Sequence, residues 1–294
     1  MRRLFRLLLT SCAVTALVLG SPVVPVHAQT NDEWTRPFPP FRLIGNIYWV
    51  GSYDLSSYLI TTPQGHILVN TGVGDTATQI AASVRTLGFD IRDVKVLTAT
   101  HGHYDHVAGM AELKRMTGAR LLVAAEDKEL LETGGRADFR FGQTPSAQFP
   151  PVTVDGTFRD GETIALGGTS LTAHHHGGHT KGATSFTLTV TENGTSYRVV
   201  IANMGSINPG VRVTGMPGYP TIGDDYARTF LVQKDLPVDV WLASHASQFG
   251  LHQKYAPGDP YSPTRFVDPD GYRRAVQQLE RTFLTQRDAE RAGR

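Results

Sequence analysis

Seven residues constrain this chain more than any other feature: Thr100-His101-Gly102-His103-Tyr104-Asp105-His106. They place four side chains that can bind metal within six positions, just after the apolar run Val94-Lys95-Val96-Leu97. His101 and His103 alternate along an extended segment, so both imidazoles can point to one side. Imidazoles packed this closely would repel one another on protonation unless a cation lay among them. The run therefore predicts a metal site, with a solvated histidine-rich turn as the alternative.

Asp105 and His106 lead into a stretch, Val107 to Met116, whose apolar spacing predicts a helix. Their side chains, placed on a helix, point in other directions than those of the two preceding histidines on the extended segment. The run can therefore contribute to two clusters of ligands and bind two adjacent ions. Further histidines follow two later predicted strands, in the stretch from His174 to His179 and at Ser244-His245. Strand ends are where α/β proteins assemble their sites.

Residues 1–28 have the layout of a signal peptide. Three arginines precede the apolar run Leu7 to Gly20, and Val26-His27-Ala28 provides the small residues of a cleavage site. The mature chain is expected to start after Ala28, to form a single domain over residues 29–294, and to be periplasmic or secreted. Two alternatives stay open for this stretch: a lipoprotein signal at Leu9 to Cys12, and export by the twin-arginine route.

The chain without its signal peptide is close to neutral. Its 28 basic residues include the three of the signal peptide, so 25 remain against 27 acidic ones. That balance argues against nucleic acid or an anionic membrane as the main partner, because either would need a basic face. No later apolar run reaches the roughly 20 residues of a membrane span. The one cysteine, Cys12, leaves with the signal peptide, so a metal site must use His, Asp, Glu and water.

The spacing of apolar residues predicts strands and helices in alternating groups. Three short strands are expected to form an antiparallel meander, after a polar, proline-rich arm from Asn31 to Pro40 that is a poor helix or strand. A hairpin is expected across Asn193-Gly194. The predicted strands are 46–50, 57–61, 66–70, 94–99, 120–124, 163–166, 170–174, 185–191, 197–202 and 239–243, and the predicted helices are 76–87, 107–117, 126–132, 224–234 and 271–287.

One long segment, from Arg136 to Pro151, shows no periodicity. It contains Phe139, Phe141 and Phe149 among Gly, Pro and polar residues. A loop of this length in a compact domain is usually functional or mobile. We interpret it as a lid over the metal site, and a packed loop with buried aromatic side chains is the alternative.

The histidine motifs together resemble those of the metallo-β-lactamase superfamily. The resemblance runs from about Asn46 to Phe249 and rests on Thr100 to His106, the turn Gly178-His179-Thr180, and a later histidine at a strand end. It implies an α/β fold, an αββα sandwich of two mixed β-sheets flanked by helices, with a binuclear site along one edge of the sheets. It also implies two zinc ions, the first bound by His101, His103 and His179, and the second by Asp105, His106 and His245.

Two absences point to one branch of that superfamily. Thiolester hydrolases, phosphodiesterase-type nucleases and many lactonases of this fold bridge their metals with an aspartate after the strand that corresponds to 199–202. This chain reads Asn203-Met204-Gly205-Ser206 there. The first subclass of class B β-lactamases uses a cysteine ligand, which the mature chain lacks. The pattern is similar to the third subclass, in which a histidine beside the motif aspartate, here His106, replaces the cysteine.

The resemblance implies a secreted zinc β-lactamase that opens the β-lactam amide with a zinc-bound hydroxide and confers antibiotic resistance. Water bound to zinc can fall from a pKa of about 15.7 to near 7. Asp105 would ligate the second zinc and orient the nucleophile, Ser206 would bind the substrate carboxylate, and Asn208 is a second candidate for that contact. The protein is expected to be a monomer. The alternatives are a lactone, thiolester or phosphoester hydrolase of the same superfamily, and a zinc-storage protein.

The chain departs from the family pattern near its motifs. Gly177 and Lys181 stand where prolines are usual around Gly-His-Thr. Asn70 stands where many relatives carry an aspartate that orients a zinc-bound imidazole, and its amide can still accept one hydrogen bond there. The other histidines of the mature chain are interpreted as sheet, turn or loop residues outside the site, with His176 nearest to it: His66, His174, His175, His176 and His252.

Overall fold

The structure of the protein is a computed structural model that describes residues 32–74 and 76–293. The predicted signal peptide lies outside these residues and stays a prediction. Two β-sheets pack face to face and helices cover them, as expected for an αββα sandwich. Among the described residues, no helix has the length and apolar character needed to span a membrane.

The first sheet has seven strands whose spatial order follows the chain. Strands β1 to β4 pair antiparallel and β4 to β7 pair parallel, which confirms the predicted meander. Its first and last strands, of four and three residues, are absent from the prediction. The strands are β1 Phe41–Ile44, β2 Ile47–Trp49, β3 Tyr58–Thr62, β4 Gly65–Val69, β5 Val94–Thr98, β6 Arg120–Ala124 and β7 Gly156–Phe158.

The second sheet has five strands in the order β12-β11-β10-β9-β8. The predicted hairpin joins β10 to β11, and its turn residues Asn193 and Gly194 have φ of 51° and 79°, as a two-residue hairpin turn requires. The last strand pairs parallel to β11. The strands are β8 Thr163–Leu166, β9 Thr169–His175, β10 Thr184–Glu192, β11 Thr195–Ala202 and β12 Val240–Ala243.

The helices match the prediction in their long members and differ at three places, one of which is a short helix at Leu251–Lys254 that was not predicted. The arm from Asn31 to Pro40 contains a short helix, so its description as a poor helix is wrong. The predicted helix 107–117 is divided, because the carbonyl of His106 accepts the backbone N–H of Thr71 at 2.7 Å. The helices are α1 Asp32–Thr35, α2 Thr76–Thr86, α3 Tyr104–Val107, α4 Met110–Thr117, α5 Lys128–Glu132, α6 Ile222–Asp235, α7 Leu251–Lys254 and α8 Pro269–Arg291.

Adjacent residues of the central strands point into two different hydrophobic clusters. Ile60 and Ile67, which pair across β3 and β4, belong to the cluster between the sheets. Leu59 and Leu68, their neighbours, belong to the cluster beneath α2 and α4. This is the two-residue period of a strand buried on both faces. The first sheet therefore lies between the second sheet on one face and helices α2 and α4 on the other.

Buried hydrogen bonds join the two sheets beside the histidine motif. The Tyr58 hydroxyl donates to the carbonyl of Ala243 at 2.6 Å. The Thr184 N–H donates to the carbonyl of Thr100 at 2.7 Å, and the Thr100 and Ser244 hydroxyls are 2.8 Å apart. Each such bond contributes about 1 kcal/mol net. They hold the carboxyl ends of β5 and β12 together, which is where the predicted metal residues lie.

Candidate metal centre

Three histidines from two loops form the first group of candidate ligands. His101 and His103 follow β5, and His179 lies in the turn between β9 and β10. One ligand atom from each lies within 4.8 Å of the others. Nδ1 of His103 and Nε2 of His179 are 3.2 Å apart. Their ring nitrogens therefore converge on one point.

The second group lies beside the first and is centred on Asp105. Its Oδ2 atom is 3.2 Å from Nε2 of His106, which shares helix α3 with it, and 3.4 Å from Nε2 of His245, which follows β12. His101 belongs to both groups, since its ligand atom also lies within 4.8 Å of those of Asp105 and His106. The structure thus brings all six residues of the predicted ligand set into one cluster.

The chemistry of this cluster fits a divalent cation. Nε2 of His101 and Nδ1 of His106 are buried without a hydrogen-bond partner, and Nε2 of His106 has only the ion-pair contact with Asp105. Leaving such an atom unpaired costs about 1–3 kcal/mol, which a bound cation would offset. Burial, and then the neighbouring imidazoles, hold the pKa of His101 well below its usual value, so this ring is neutral and has a free lone pair. Imidazole nitrogen and carboxylate oxygen are ligands that zinc prefers.

A buried carboxylate orients His245 from its other side. Asp54 Oδ2 accepts a hydrogen bond from Nδ1 of His245 at 2.8 Å, and its Oδ1 accepts the backbone N–H of Ser247 at 3.0 Å. Burial lowers the pKa of His245, but bonds to Asp105 and Asp54 outweigh it and raise the pKa to about 9. A metal that binds Nε2 must therefore displace a proton. The sequence contains no signal for this pair, because 191 positions separate the two residues.

The first group is also held from behind. Nδ1 of His179 donates to the carbonyl of Ser206 at 2.8 Å, which leaves Nε2 for a metal. Nε2 of His103 lies 3.3 Å from Asp138 Oδ2, an ion-pair distance with the N–H off the line of a full hydrogen bond. These contacts select the tautomers that turn Nδ1 of His103 and Nε2 of His179 toward each other.

Both groups open into a cavity of about 180 Å³. The two predicted substrate-binding residues, Ser206 and Asn208, line it. Among the described residues that line this cavity, none is Lys or Arg, so an anionic substrate would meet neutral donors and any bound metal. Seven further lining residues are absent from the sequence prediction of the site: Trp34, Tyr104, Phe141, Asn203, Met204, Ser244 and Gln248.

Comparisons with known proteins agree with this geometry. A family model for the metallo-β-lactamase superfamily matches residues 53–191. A β-lactamase from Chitinophaga pinensis is 42% identical with a TM-score of 0.86, and the match covers 90% of this chain and 100% of that one. The class B3 di-zinc metallo-β-lactamase LRA-12 from an Alaskan soil metagenome is 43% identical with a TM-score of 0.85, covering 87% and 97%. The chain belongs to the metallo-β-lactamase superfamily.

Within this superfamily, the resemblance to the third subclass, B3, is confirmed by such solved relatives. A curated relative from another branch, hydroxyacylglutathione hydrolase GloC of Haemophilus influenzae, is 36% identical over 96 residues, which is 32% of this chain and 44% of that protein. The chain matches about half the length of the curated relatives. The protein is thus a metallo-β-lactamase superfamily hydrolase whose likeness to class B3 structures extends over most of the chain.

Asn70 of this hydrolase makes no hydrogen bond to an imidazole of the described residues, contrary to expectation. Its Oδ1 accepts hydrogen bonds from the backbone N–H of Thr100 at 2.9 Å and from the Thr100 hydroxyl at 3.2 Å. That hydroxyl lies 3.4 Å from Nδ1 of His101. Asn70 has a positive φ of 63°, a conformation that Asn tolerates better than most residues. It therefore holds the residue before the first histidine rather than the ring itself.

The segment from Arg136 to Pro151 is a packed wall of the hydrolase cavity. Phe149 is buried, and the ring of Phe139 packs against Tyr219 with centroids 5.1 Å apart. Phe141 contacts His103, with ring centroids 5.2 Å apart, and lines the cavity. The burial of Phe149 and the partial burial of Phe139 agree with the packed-loop alternative. The position of Phe141 over the candidate ligands agrees with a covering role, and a lid motion stays a prediction.

The end of β11 carries an amide where other branches of the superfamily carry a bridging carboxylate. Both side-chain polar atoms of Asn203 are buried and have no hydrogen-bond partner, and the residue lines the cavity. Asp105 is the only carboxylate among the described lining residues. An amide is a neutral ligand, so it does not replace the missing charge.

None of the other described histidines lines the cavity, in agreement with the interpretation from sequence. His176 is buried and bonds through Nδ1 to the Ser185 hydroxyl at 2.6 Å. His174 bonds to Thr187 at 2.7 Å and His252 bonds to the carbonyl of Tyr53 at 2.8 Å. The other two are His66, which packs against Phe89, and His175, which bonds to the carbonyl of Lys181.

Proposed function

We propose that this hydrolase is a β-lactamase that binds two zinc ions and hydrolyses the amide bond of β-lactam antibiotics, and so confers resistance. The observation that carries the proposal is the cluster of Asp105, His106 and His245, together with Asn203 where a bridging carboxylate would otherwise stand. Without that carboxylate, His106 would have to be a ligand of the second metal, which is the arrangement that the resemblance to the third subclass implies. Similarity to proteins named as β-lactamases over nearly their whole length supports the same activity.

The assignment of residues follows from the two groups. When bound, zinc supplies an activated water and an electrophile for the carbonyl oxygen. Asp105 lies between two ring nitrogens of the second group, so its carboxylate would both hold that ion and orient the attacking water. The hydroxyl of Ser206 and the amide of Asn208 would hold the substrate carboxylate. The ions would be held by His101, His103 and His179, and by Asp105, His106 and His245.

Replacing Ser206 by Ala is expected to raise KM more than it lowers kcat. The hydroxyl would contact a carboxylate away from the bond that breaks, so its contribution is mostly equal in ground and transition states. A hydrogen bond to a charged group contributes about 1.5–3 kcal/mol, so kcat/KM should fall about 10–100-fold. Steady-state kinetics on a cephalosporin measure this. Because the Ser206 carbonyl also holds His179, bound zinc is measured as a control, and unchanged kinetics would place the carboxylate contact elsewhere.

Steady-state kinetics across substrate classes test the function itself. A penicillin, a cephalosporin and a carbapenem are compared with a lactone, a thiolester and a phosphodiester, using zinc-saturated enzyme. The highest kcat/KM is expected for a β-lactam, because Asn203 follows β11 at the position where thiolester hydrolases, phosphodiesterase-type nucleases and many lactonases of this fold have a bridging aspartate. The same enzyme after chelation controls for background hydrolysis. A lactone, thiolester or phosphodiester turned over faster than every β-lactam would move the protein to another branch.

A further inference from the structure

Asp127 is a buried carboxylate that lies between the two loops carrying the first group of histidines. Its Oδ2 accepts the backbone N–H of Gly102 at 2.8 Å and the hydroxyl of Thr180 at 2.8 Å. Its Oδ1 accepts the backbone N–H of Gly182 at 2.8 Å. Gly102 stands between His101 and His103, and Thr180 directly follows His179. One side chain therefore bonds to both loops.

The charge of Asp127 is costly in this position. The residue is 3% exposed, and no Lys or Arg among the described residues forms an ion pair with it. A buried carboxylate is destabilising unless hydrogen bonds compensate for its lost hydration. Here three neutral donors do so, and all three belong to the ligand-bearing loops. The hydrogen bonds that stabilise this carboxylate therefore form only when both loops are in the observed positions.

Two of the three donors to Asp127 belong to glycines in tightly packed positions. A Cβ atom on Gly182 would lie 2.7 Å from Cγ of Asp127, which is too close for any side chain. A Cβ atom on Gly102 would lie 2.7 Å from Cδ2 of Leu130, on the helix that follows Asp127. At Gly182 the lack of a side chain makes the contact with Asp127 possible, and at Gly102 it leaves room for Leu130 beside the loop.

The loop around His179 needs an external restraint. It reads Gly177-Gly178-His179-Thr180-Lys181-Gly182, with three glycines and no proline, so its own backbone is permissive. Two of its residues are fixed by Asp127. The same oxygen that bonds to Thr180 also bonds to Gly102. One carboxylate therefore joins the two loops directly and fixes the distance between them at this point.

We propose that Asp127 is a positioning residue for the first metal, setting the separation between the loop of His101 and His103 and the loop of His179. It touches neither substrate nor metal. The affinity of the first group for zinc depends on it, whereas the second group is oriented mainly from its other side, through Asp54 and His245. The inference rests on the proposed metal assignment and not on the identity of the substrate.

The experiment measures zinc affinity at the first group alone. A His106→Ala background weakens the second group, and Asp127→Asn is added to it. Asn has the shape of Asp, but its NH2 group cannot accept the bonds that one oxygen accepted. The zinc dissociation constant is measured by competition with a chromophoric chelator, and circular dichroism reports the fold. We expect the dissociation constant to rise about 10–100-fold, as for other residues that orient metal ligands.

Asp54→Asn is the matched control, because it also removes a buried carboxylate that orients the site, but at the second group. In the His106→Ala background it should leave the first dissociation constant unchanged, whereas in a His179→Ala background it should weaken the remaining zinc and Asp127→Asn should not. If Asp127→Asn fails to fold, Thr180→Val removes one donor and keeps the charge, and a rise on the order of 5-fold is expected.

Two results would overturn the inference. One is an unchanged first dissociation constant in a folded Asp127→Asn protein, even if its melting temperature falls, because Asp127 would then serve stability alone. The other is an equal loss at both groups. A His106→Ala protein that binds no zinc would instead contradict the proposed first metal group, so the two failures are distinguishable.

Discussion

Removal of metal with a strong chelator is expected to abolish hydrolysis, and zinc is expected to restore it. The described residues of the cavity offer no good substitute for a metal-activated water. Ser244 already bonds to the Thr100 hydroxyl at 2.8 Å. The hydroxyl of Ser206 has only a 3.4 Å contact with Nδ1 of His179. That Nδ1–H donates to the carbonyl of Ser206, so Nδ1 cannot accept a proton from the hydroxyl. Neither serine has a free base beside it, as a nucleophile needs. Activity is measured against metal content determined on the same sample.

The control for this experiment is the fold of the metal-depleted protein. Zinc bound to the native state alone stabilises it by about 2.7 kcal/mol when its concentration is 100 times the dissociation constant. The melting temperature should therefore rise on adding zinc, while circular dichroism at low temperature stays the same. Full turnover by a sample verified to be metal-free would refute the mechanism, as would a covalent substrate adduct on a serine.

Asp105→Asn is expected to reduce kcat further than His106→Ala, with both variants saturated with zinc. The carboxylate lies 3.2 Å from His106 and 3.4 Å from His245, so it occupies the centre of the second group. Asn keeps the shape but removes the negative charge and the orientation of the attacking water. A positioned acid-base group typically contributes on the order of 10²–10⁴-fold. His106→Ala removes one ligand and leaves that carboxylate in place.

Zinc titrations run beside the kinetics separate the two roles of Asp105. Both variants should need more zinc for saturation, since each loses a ligand of the second group. Only the difference that persists at saturation reports orientation of the water. If saturating zinc returned Asp105→Asn to the wild-type rate while His106→Ala stayed inactive, Asp105 would be a ligand only.

The sequence predicted correctly those features that depend on residues close together along the chain. Thr100 to His106 holds four of the six candidate ligands, and residues this close along the chain have to be close in space. The two-residue period of β3 and β4 and the helical period of α2 likewise depend on nearest neighbours. The predicted sandwich and its family are confirmed. The ligand roles stay predictions, although the structure brings all six residues together.

Contacts between distant parts of the chain could not be predicted in this way. Asp54 and Trp34 precede His245 by about 200 positions, yet Asp54 bonds to its ring and the Trp34 ring lies 6.1 Å from it. Trp34 lies in the short helix Asp32–Thr35. The arm around it shows no helical period, and for that reason the sequence did not predict this helix. Asn70 was expected to meet an imidazole, but the register of β4 against β5 places it beside Thr100.

The sequence by itself predicted the candidate metal ligands, ten of the twelve strands that the described residues form, and the family, because each depends on residue types at short, fixed spacings. Only the tertiary structure decided which side chains support the ligands from behind and which line the cavity. Asp127 shows the physical reason: its three hydrogen bonds reach 25 and about 55 positions along the chain, and packing between loops sets such distances. No local pattern distinguishes a buried carboxylate that joins two loops from an acidic residue on a solvated helix face.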